Sequence, residues 1–227
     1  MPIALDIPAT EAAIIAETNT FRRQHDLNAL KQNKQLAAAA RAYAKTLAKR
    51  SELTHTANGT TPPSRARAAG YALCEIAENL ASIYDSSGFS ASGYARRAVD
   101  GWKNSPGHRK NMLLANVTET GVGVAKTADN DPRYYAVQLL GRPEALKLSF
   151  RVVNRSSATV AYTFGGRNQS VSPRQVITHT SCAGGNLAFE LGSNVARYEA
   201  SDGRVYTLKA AAGGGVQLEV GKSAPSP

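Results

Sequence analysis

The spacing of the apolar residues changes at Gly141-Arg142-Pro143-Glu144, and this change limits the folds that the chain can adopt. Before it, apolar residues recur at three- and four-residue intervals in several segments, a pattern that predicts amphipathic helices. After it, short runs of alternating apolar residues are separated by turns rich in Gly, Ser and Asn, which predicts strands and no long helix. We therefore predict two domains, residues 1–143 and residues 144–227.

In the first domain we expect helices on either side of a small antiparallel sheet, which is an α/β/α sandwich. Helices are predicted from Glu11, from about Asn33 to Arg50, and from about Ala91 to Asn104. Strands are predicted at 117–125 and 134–140. The second domain is predicted to be a small all-β sandwich or barrel, so the fold class of the whole chain is α+β.

No specific nucleic-acid site is expected, although the chain carries a net charge of +10. Residues 1–145 hold 18 Lys and Arg against 13 Asp and Glu, and residues 146–227 hold 9 against 4, so the positive excess is spread along the chain. Such a surface favours anionic partners such as acidic polysaccharide or phospholipid. No apolar run approaches the roughly 20 residues that a membrane-spanning helix needs, so we predict a chain that is not transmembrane.

Segment 98–125 contains the only Trp of the chain, Trp102, and one of its four His, His108. A helical pattern that ends near Trp102 is interrupted by Ser-Pro-Gly at 105–107, because Pro and Gly are strong helix breakers. We predict that Ser105 caps a second short helix with the Pro in its first turn. His108 would then lie near a helix N-terminus, where the dipole keeps the imidazole neutral. A neutral imidazole can bind a metal or act as a base.

Several motifs in the same order resemble the CAP superfamily, also called SCP-like domains, which includes cysteine-rich secretory proteins, insect venom antigens and plant pathogenesis-related proteins. In chain order they are Glu78-Asn79-Leu80, Gly101-Trp102, Ser105-Pro106-Gly107-His108-Arg109, Gly121-Val122-Gly123-Val124 and Tyr134-Tyr135-Ala136-Val137-Gln138. The form of the third motif is most similar to the bacterial branch, and the resemblance covers residues 11–143. It implies an α/β/α sandwich and a secreted protein.

The resemblance also implies a cleft formed by two His and two acids, of which this chain provides three residues. Carried over by position, these are His55, Glu78 and His108. The second acid is missing, because Ser105 stands near its position and Asp100 lies one helical turn away. Two imidazoles and a carboxylate can bind zinc or another divalent cation, so the three are candidate metal ligands and candidate catalytic residues, with Ser105 in support. Without the resemblance, His55 would be interpreted as an exposed loop residue, whereas the apolar neighbours Ile76 and Leu80 argue against that interpretation for Glu78.

Two functions are compatible with this cleft. The first is a secreted binding module for a lipid, a polysaccharide or a protein partner of the cell envelope. The alternative is a metal-assisted hydrolase of peptides, esters or glycans that uses His55, Glu78 and His108. The missing second acid, together with the lack of G-x-S-x-G and H-E-x-x-H motifs in the sequence, favours the binding module. A third hypothesis assigns the function to the β domain and leaves the first domain as a scaffold.

The two cysteines, Cys74 and Cys182, are too few for a disulfide-rich scaffold. They are consistent either with two free, buried thiols or with one long-range bridge. The first residues, Met1-Pro2-Ile3-Ala4, lack the charged start and apolar core of a signal peptide. Because the resemblance implies a secreted or periplasmic protein, we expect that a leader has been removed from this chain.

Overall fold

The computed structural model describes residues 4–130 and 132–222, and the chain divides into two compact units between Ala145 and Leu146. Within the described residues, the first unit contains the α-helices and one four-stranded sheet. The second unit contains two further four-stranded sheets. These findings confirm the predicted α+β class.

Helices and strands alternate along the first unit. The helices are α1 (Ile7–Arg23), α2 (Lys34–Arg50), α3 (Pro62–Ala68), α4 (Ala91–Lys103) and α5 (Pro106–Met112), with short 3-10 helices at Ala57–Gly59 and Glu144–Leu146. The strands are β1 (Lys31–Gln32), β2 (Leu73–Ile83), β3 (Glu119–Lys126) and β4 (Tyr134–Pro143), in the spatial order β1-β3-β4-β2. The short pair β1–β3 is parallel and the other pairs are antiparallel, so the sheet is mixed where an antiparallel one was predicted.

Helices cover both faces of this sheet, which confirms the α/β/α sandwich. Alternate residues of β4 belong to different cores, because successive side chains of a strand point to opposite faces. Ala136 packs in the core that contains residues of α1 and α4, whereas Val137 packs in the core that contains residues of α2. On the α4 side, the indole Nε1 of Trp102 donates a hydrogen bond of 2.8 Å to the carbonyl oxygen of Leu80 and fixes α4 against β2.

Two glycines allow α2 to lie directly on β3. A Cβ atom at Gly121 would be 2.1 Å from the backbone nitrogen of Ala37, and one at Gly123 would be 2.2 Å from that of Arg41. Helix and strand backbones are therefore in direct contact, and any side chain at these two positions would have to displace the helix.

Helix α1 begins at Ile7, whereas the sequence pattern predicted a start at Glu11. The carboxylate of Asp6 accepts a hydrogen bond from a backbone N–H of the first turn, and Pro8 lies in that turn. Glu11 is buried inside the helix and accepts a hydrogen bond of 3.1 Å from the backbone nitrogen of Val124. The predicted start was wrong because capping residues, not apolar spacing, mark the first turn.

The second unit consists of two sheets that share one core. Its strands are β5 (Leu148–Asn154), β6 (Val160–Phe164), β7 (Arg167–Val171), β8 (Val176–Ser181), β9 (Asn186–Leu191), β10 (Asn194–Glu199), β11 (Arg204–Ala210) and β12 (Val216–Lys222). The sheets have the orders β10-β9-β6-β7 and β12-β11-β5-β8, and β11 pairs with β5 in parallel. Buried residues of both sheets, among them Phe150 and Phe189, form a single cluster, which is consistent with the predicted β-sandwich.

A ring cluster within this core contains His179. Its imidazole stacks on Phe150 with 4.9 Å between ring centroids, and its Nε2 lies 2.7 Å from the hydroxyl of Tyr162. Burial lowers the pKa of His179, so the ring is predominantly neutral at pH 7 and its Nε2 can accept a hydrogen bond from the tyrosine hydroxyl. The arrangement satisfies both polar groups inside an aromatic core.

The cysteines are not free thiols. Both Cys74 and Cys182 are disulfide-bonded, so the alternative of two free thiols is wrong. Disulfides persist chiefly in oxidising compartments outside the cytoplasm. In the part of the chain that the structure describes, no helix is both long enough and apolar enough to cross a bilayer.

Candidate functional site

The carboxylate of Glu78 is the most buried charged group of the candidate site. Glu78 lies in β2 and its side chain is 1% exposed. Its Oε1 lies 2.8 Å from Nδ1 of His55, and its Oε2 accepts a hydrogen bond of 2.5 Å from Nη2 of Arg65. A buried carboxylate needs such partners, because an unpaired charge in a protein interior is costly. His55 and Glu78, 23 residues apart in sequence, are thus in direct contact.

His55 lies in the loop after α2, and a tyrosine of that helix holds the loop in place. The hydroxyl of Tyr43 donates a hydrogen bond of 2.5 Å to the carbonyl oxygen of Thr54 and accepts one of 3.0 Å from the backbone nitrogen of Ala57. The two bonds flank His55 and aim its ring at Glu78. The side chain of His55 is still 50% exposed, so it remains accessible to a ligand.

Arg65 belongs to this site, and the sequence analysis missed it. Its guanidinium is 9% exposed, lies 3.4 Å above the ring centroid of Tyr43, and donates from Nη1 to the carbonyl oxygen of His55 at 3.1 Å. The stacking and the hydrogen bonds hold the cation in one orientation. No local signal in the sequence marked Arg65, because the burial of Glu78, which requires a cationic partner, is seen only in the structure, and Arg67 lies in the same stretch of chain.

His108 is the third residue of α5, and its imidazole is predominantly neutral at neutral pH. Burial is the main cause that lowers the pKa of His108, and the charge of the nearby His55 lowers it further. The direction agrees with the prediction from the helix dipole, but the physical causes are burial and a second histidine.

A chain of side-chain amides, two buried and one half-buried, sets the position of α5 relative to β2. Asn79 of β2 donates to the carbonyl oxygen of His108 at 3.3 Å and to Oε1 of Gln138 at 3.1 Å. Asn111 of α5 donates to the carbonyl oxygen of Glu78 at 3.1 Å. Gln138 in turn donates to the hydroxyl of Thr18 in α1 at 2.8 Å. Because these polar groups satisfy each other, they hold His108 and Glu78 on neighbouring elements in a defined register.

The structure confirms the predicted start of α5 at Ser105, with Pro106 in the first turn. Ser105 occupies the N-cap position of α5, but its side chain makes no capping hydrogen bond. Instead, Ser105 lines a groove of about 520 Å³ together with His108. Asp100 does not replace the missing acid, because its carboxylate is exposed and pairs with Lys103 at 2.9 Å.

This groove, between β2 and α4, has walls of mixed chemistry. Leu80, Ile83 and Trp102 contribute apolar surface, whereas Arg97 and Arg133 contribute positive charge. His55 and Glu78 are not among the residues that line it. The structure therefore brings Ser105 and His108 to the groove, and joins His55 to Glu78 beside Arg65.

Comparisons with known proteins agree with this architecture. A family model described as "Cysteine-rich secretory protein family", the CAP model, matches residues 15–140. The chain belongs to the CAP family. The matched region lies within the first unit, here called the CAP unit, and it confirms the resemblance found in the sequence.

Several similar proteins come from bacteria. A protein of Borreliella burgdorferi described as uncharacterized is 29% identical over 117 residues, which are 52% of this chain and 70% of that one. An outer surface protein from Borrelia burgdorferi has 25% identity and a TM-score of 0.53, with 63% of this chain and all of that chain covered. An extracellular protein of Bacillus anthracis that contains an SCP domain has 27% identity and a TM-score of 0.50, with 60% and 41% covered. These matches agree with the bacterial branch predicted for this CAP protein.

The candidate site of His55, Glu78 and His108, here called the CAP site, does not offer three free ligands to a cation. Both carboxylate oxygens of Glu78 already accept hydrogen bonds, from His55 and from the charged Arg65. Among residues 4–130 and 132–222, no three or more His, Cys, Asp or Glu are gathered as metal sites require. One distant CAP structure, of NaASP2 with 14% identity and a TM-score of 0.43, contains Zn²⁺, which is a property of that protein.

We expect Arg65→Met to raise the affinity for zinc about tenfold, because it frees one oxygen of Glu78 and removes a positive charge beside the two imidazoles. Titration calorimetry with zinc on both proteins measures the change, and circular dichroism checks that the variant is folded. Arg50→Met, which removes an exposed arginine outside the site, is the matched control. Equal affinities of the wild type and Arg65→Met would show that Arg65 does not weaken zinc binding. Equal heats for the wild type and His55→Ala would reject His55 as a ligand.

Proposed function

We propose that this bacterial CAP protein is a binding module of the cell envelope, and that its ligand lies in the groove between β2 and α4. The observation that carries the proposal is the groove itself. Its volume of about 520 Å³ is in the range of ligand sites, and its walls combine apolar side chains with two arginines, two serines and a histidine. Such a combination supports a ligand with both apolar and polar or anionic groups, of lipid, polysaccharide or protein origin.

A secreted or periplasmic location supports the same proposal. Both cysteines are disulfide-bonded, which fits an oxidising compartment. Two of the similar CAP structures are described as an outer surface protein and an extracellular protein. We further propose that residues 144–227 form a separate domain that places or attaches the CAP unit in the envelope.

The substitution Gly101→Leu tests the groove. Gly101 lines it, and a Cβ atom at this position would meet nothing within 4 Å, so a larger side chain extends into the groove without disturbing the helix. Overlap with a ligand costs about 1–3 kcal/mol, so we expect roughly tenfold weaker binding. The measurement is binding to immobilised acidic and neutral polysaccharides and to phosphatidylglycerol vesicles.

Gly101→Ala is the control for this test, because its single methyl group leaves most of the groove open. We expect it to bind like the wild type and to stabilise α4 by about 0.5–1 kcal/mol. Unchanged binding of Gly101→Leu to every probe that the wild type binds would overturn the groove as the ligand site.

A second candidate function is hydrolysis of a peptide, ester or glycan. The observation in its favour is the contact of 2.8 Å between His55 and Glu78, beside a neutral His108, since a carboxylate can orient an imidazole that acts as a base. A metal-assisted mechanism would need a free carboxylate, but Arg65 occupies one oxygen of Glu78. The hydrolase hypothesis therefore depends on His55, Glu78 and His108 without a metal. Turnover that disappears in His108→Ala supports the hydrolase, whereas ligand binding that survives in His108→Ala supports the binding module.

A further inference from the structure

We propose that the CAP unit binds a linear anionic polysaccharide along a basic channel, which starts in the groove and continues past the turn between β3 and β4 to the face of α2. The inference rests on the proposed binding function and names the class of its ligand. It is carried by two further hollows in the CAP unit and by the charges in their walls.

The three hollows are adjacent because they share wall residues. One hollow, of about 320 Å³, lies between α2 and the end of β3, and Ser51, Thr127 and Asp129 also line a second hollow of about 250 Å³. This second hollow shares Tyr84 and Arg133 with the groove between β2 and α4. The shared residues therefore place the three hollows side by side in a row, with the groove at one end, and we call this row the channel.

Positive charge predominates along this channel. Lys45, Lys49 and Lys126 line the hollow at α2, Arg133 lines the other two, and Asp129 is the one acid in these walls within the described residues. In the part of the chain that the structure describes, these four cations form no ion pair. A row of cations that form no ion pairs, with a single acid among them, is electrostatically complementary to an anionic ligand.

Two of these cations are neighbours on the surface of α2. Lys45 and Lys49 are four residues apart, so they lie on one face of the helix and repel each other. At the other end of the channel, Arg97 lines the groove and is exposed even though it pairs with Asp85 at 3.2 Å. An anion that spans from α2 to the groove would neutralise charges at both ends at once.

The shape of the channel favours a polysaccharide over a membrane or a nucleic acid. The lysines line concave hollows, which a flat bilayer surface does not enter but a single polymer strand does. Proteins that bind single-stranded nucleic acid stack the bases on several aromatic rings. In these walls Trp102 and Tyr135 are buried, which leaves Tyr84 as the exposed ring among the described residues. Hydroxyl groups such as that of Ser51 suit the hydroxyls of sugars.

The test uses a defined oligomer of α-1,4-linked galacturonate and the full chain. The variant carries Lys45→Glu and Lys49→Glu, and the matched control carries Lys31→Glu and Lys34→Glu, which changes the net charge equally at exposed positions outside the channel. Because each exposed charge contact contributes modestly, we expect about tenfold weaker binding for the first variant and less than about twofold change for the control. Binding of the wild type should also weaken with added salt, and the first variant should lose part of that dependence.

The outcomes separate this inference from the proposed function. If Gly101→Leu weakens oligomer binding while Lys45→Glu with Lys49→Glu binds like the wild type, the groove stands as the ligand site and the channel is overturned. If the wild type binds neutral dextran or single-stranded DNA as well as it binds the oligomer, anionic polysaccharide is overturned as the ligand class. Binding to phosphatidylglycerol vesicles without binding to the oligomer would assign the lysines to a membrane and overturn the inference.

Discussion

Gly123→Ala is expected to destabilise the CAP unit by about 3 kcal/mol, because an added methyl group has no space between β3 and α2. Its Cβ atom would lie 2.2 Å from the backbone nitrogen of Arg41 and 2.3 Å from the carbonyl carbon of Ala40. These are backbone atoms within a helix, so they cannot move aside individually as a flexible side chain would. The helix must shift as a whole, which opens the core that it shares with the sheet.

Urea unfolding followed by tryptophan fluorescence measures this loss. Trp102 is the only tryptophan of the chain and is buried in the CAP unit, so its signal reports on that unit. Gly107→Ala is the control, since a Cβ atom there meets nothing within 4 Å, and we expect its effect to stay within about 1 kcal/mol of the wild type. If Gly123→Ala unfolds at the same urea concentration as the wild type, the direct contact of α2 with β3 is wrong.

Glu78→Gln is expected to have an effect of similar size, about 3 kcal/mol, because it leaves the guanidinium of Arg65 buried without its counterion. The glutamine can still accept a hydrogen bond, but it cannot compensate the positive charge of Arg65. The substitution also weakens the contact with His55. The same fluorescence measurement applies. Glu52→Gln is the matched control: Glu52 pairs with Arg50 at 3.0 Å on the surface, and its loss should cost less than about 1 kcal/mol.

A double variant separates charge from packing in this prediction. Glu78→Gln combined with Arg65→Met removes both charges, and an apolar replacement of a buried pair is often tolerated. We therefore expect the double variant to be more stable than Glu78→Gln alone. A double variant that is less stable than the single one would show that Arg65 contributes mainly through its stacking on Tyr43 and not through its charge.

Much of the fold could be predicted from local patterns. Apolar spacing predicted α2 and α4, and the change of pattern at Gly141–Glu144 preceded the β-only unit. The start of α1 was missed, because Asp6 and Pro8 mark it by capping. The N-cap position of Ser105 and the proline in the first turn of α5 were predicted correctly, but the capping hydrogen bond expected from the serine side chain is not formed. Local sequence patterns favour a particular structure, and the tertiary contacts of the segment determine whether that structure forms.

By itself, the sequence determined several helices, the strands β3 and β4, the CAP family and three candidate residues, because periodicity and motif order are properties of neighbouring positions. Only the tertiary structure decided that Arg65 occupies the second oxygen of Glu78, and that the hollows beside Lys45 and Arg133 adjoin the groove. These relations join segments that are remote along the chain. Their strength depends on burial and distance, which no local pattern contains.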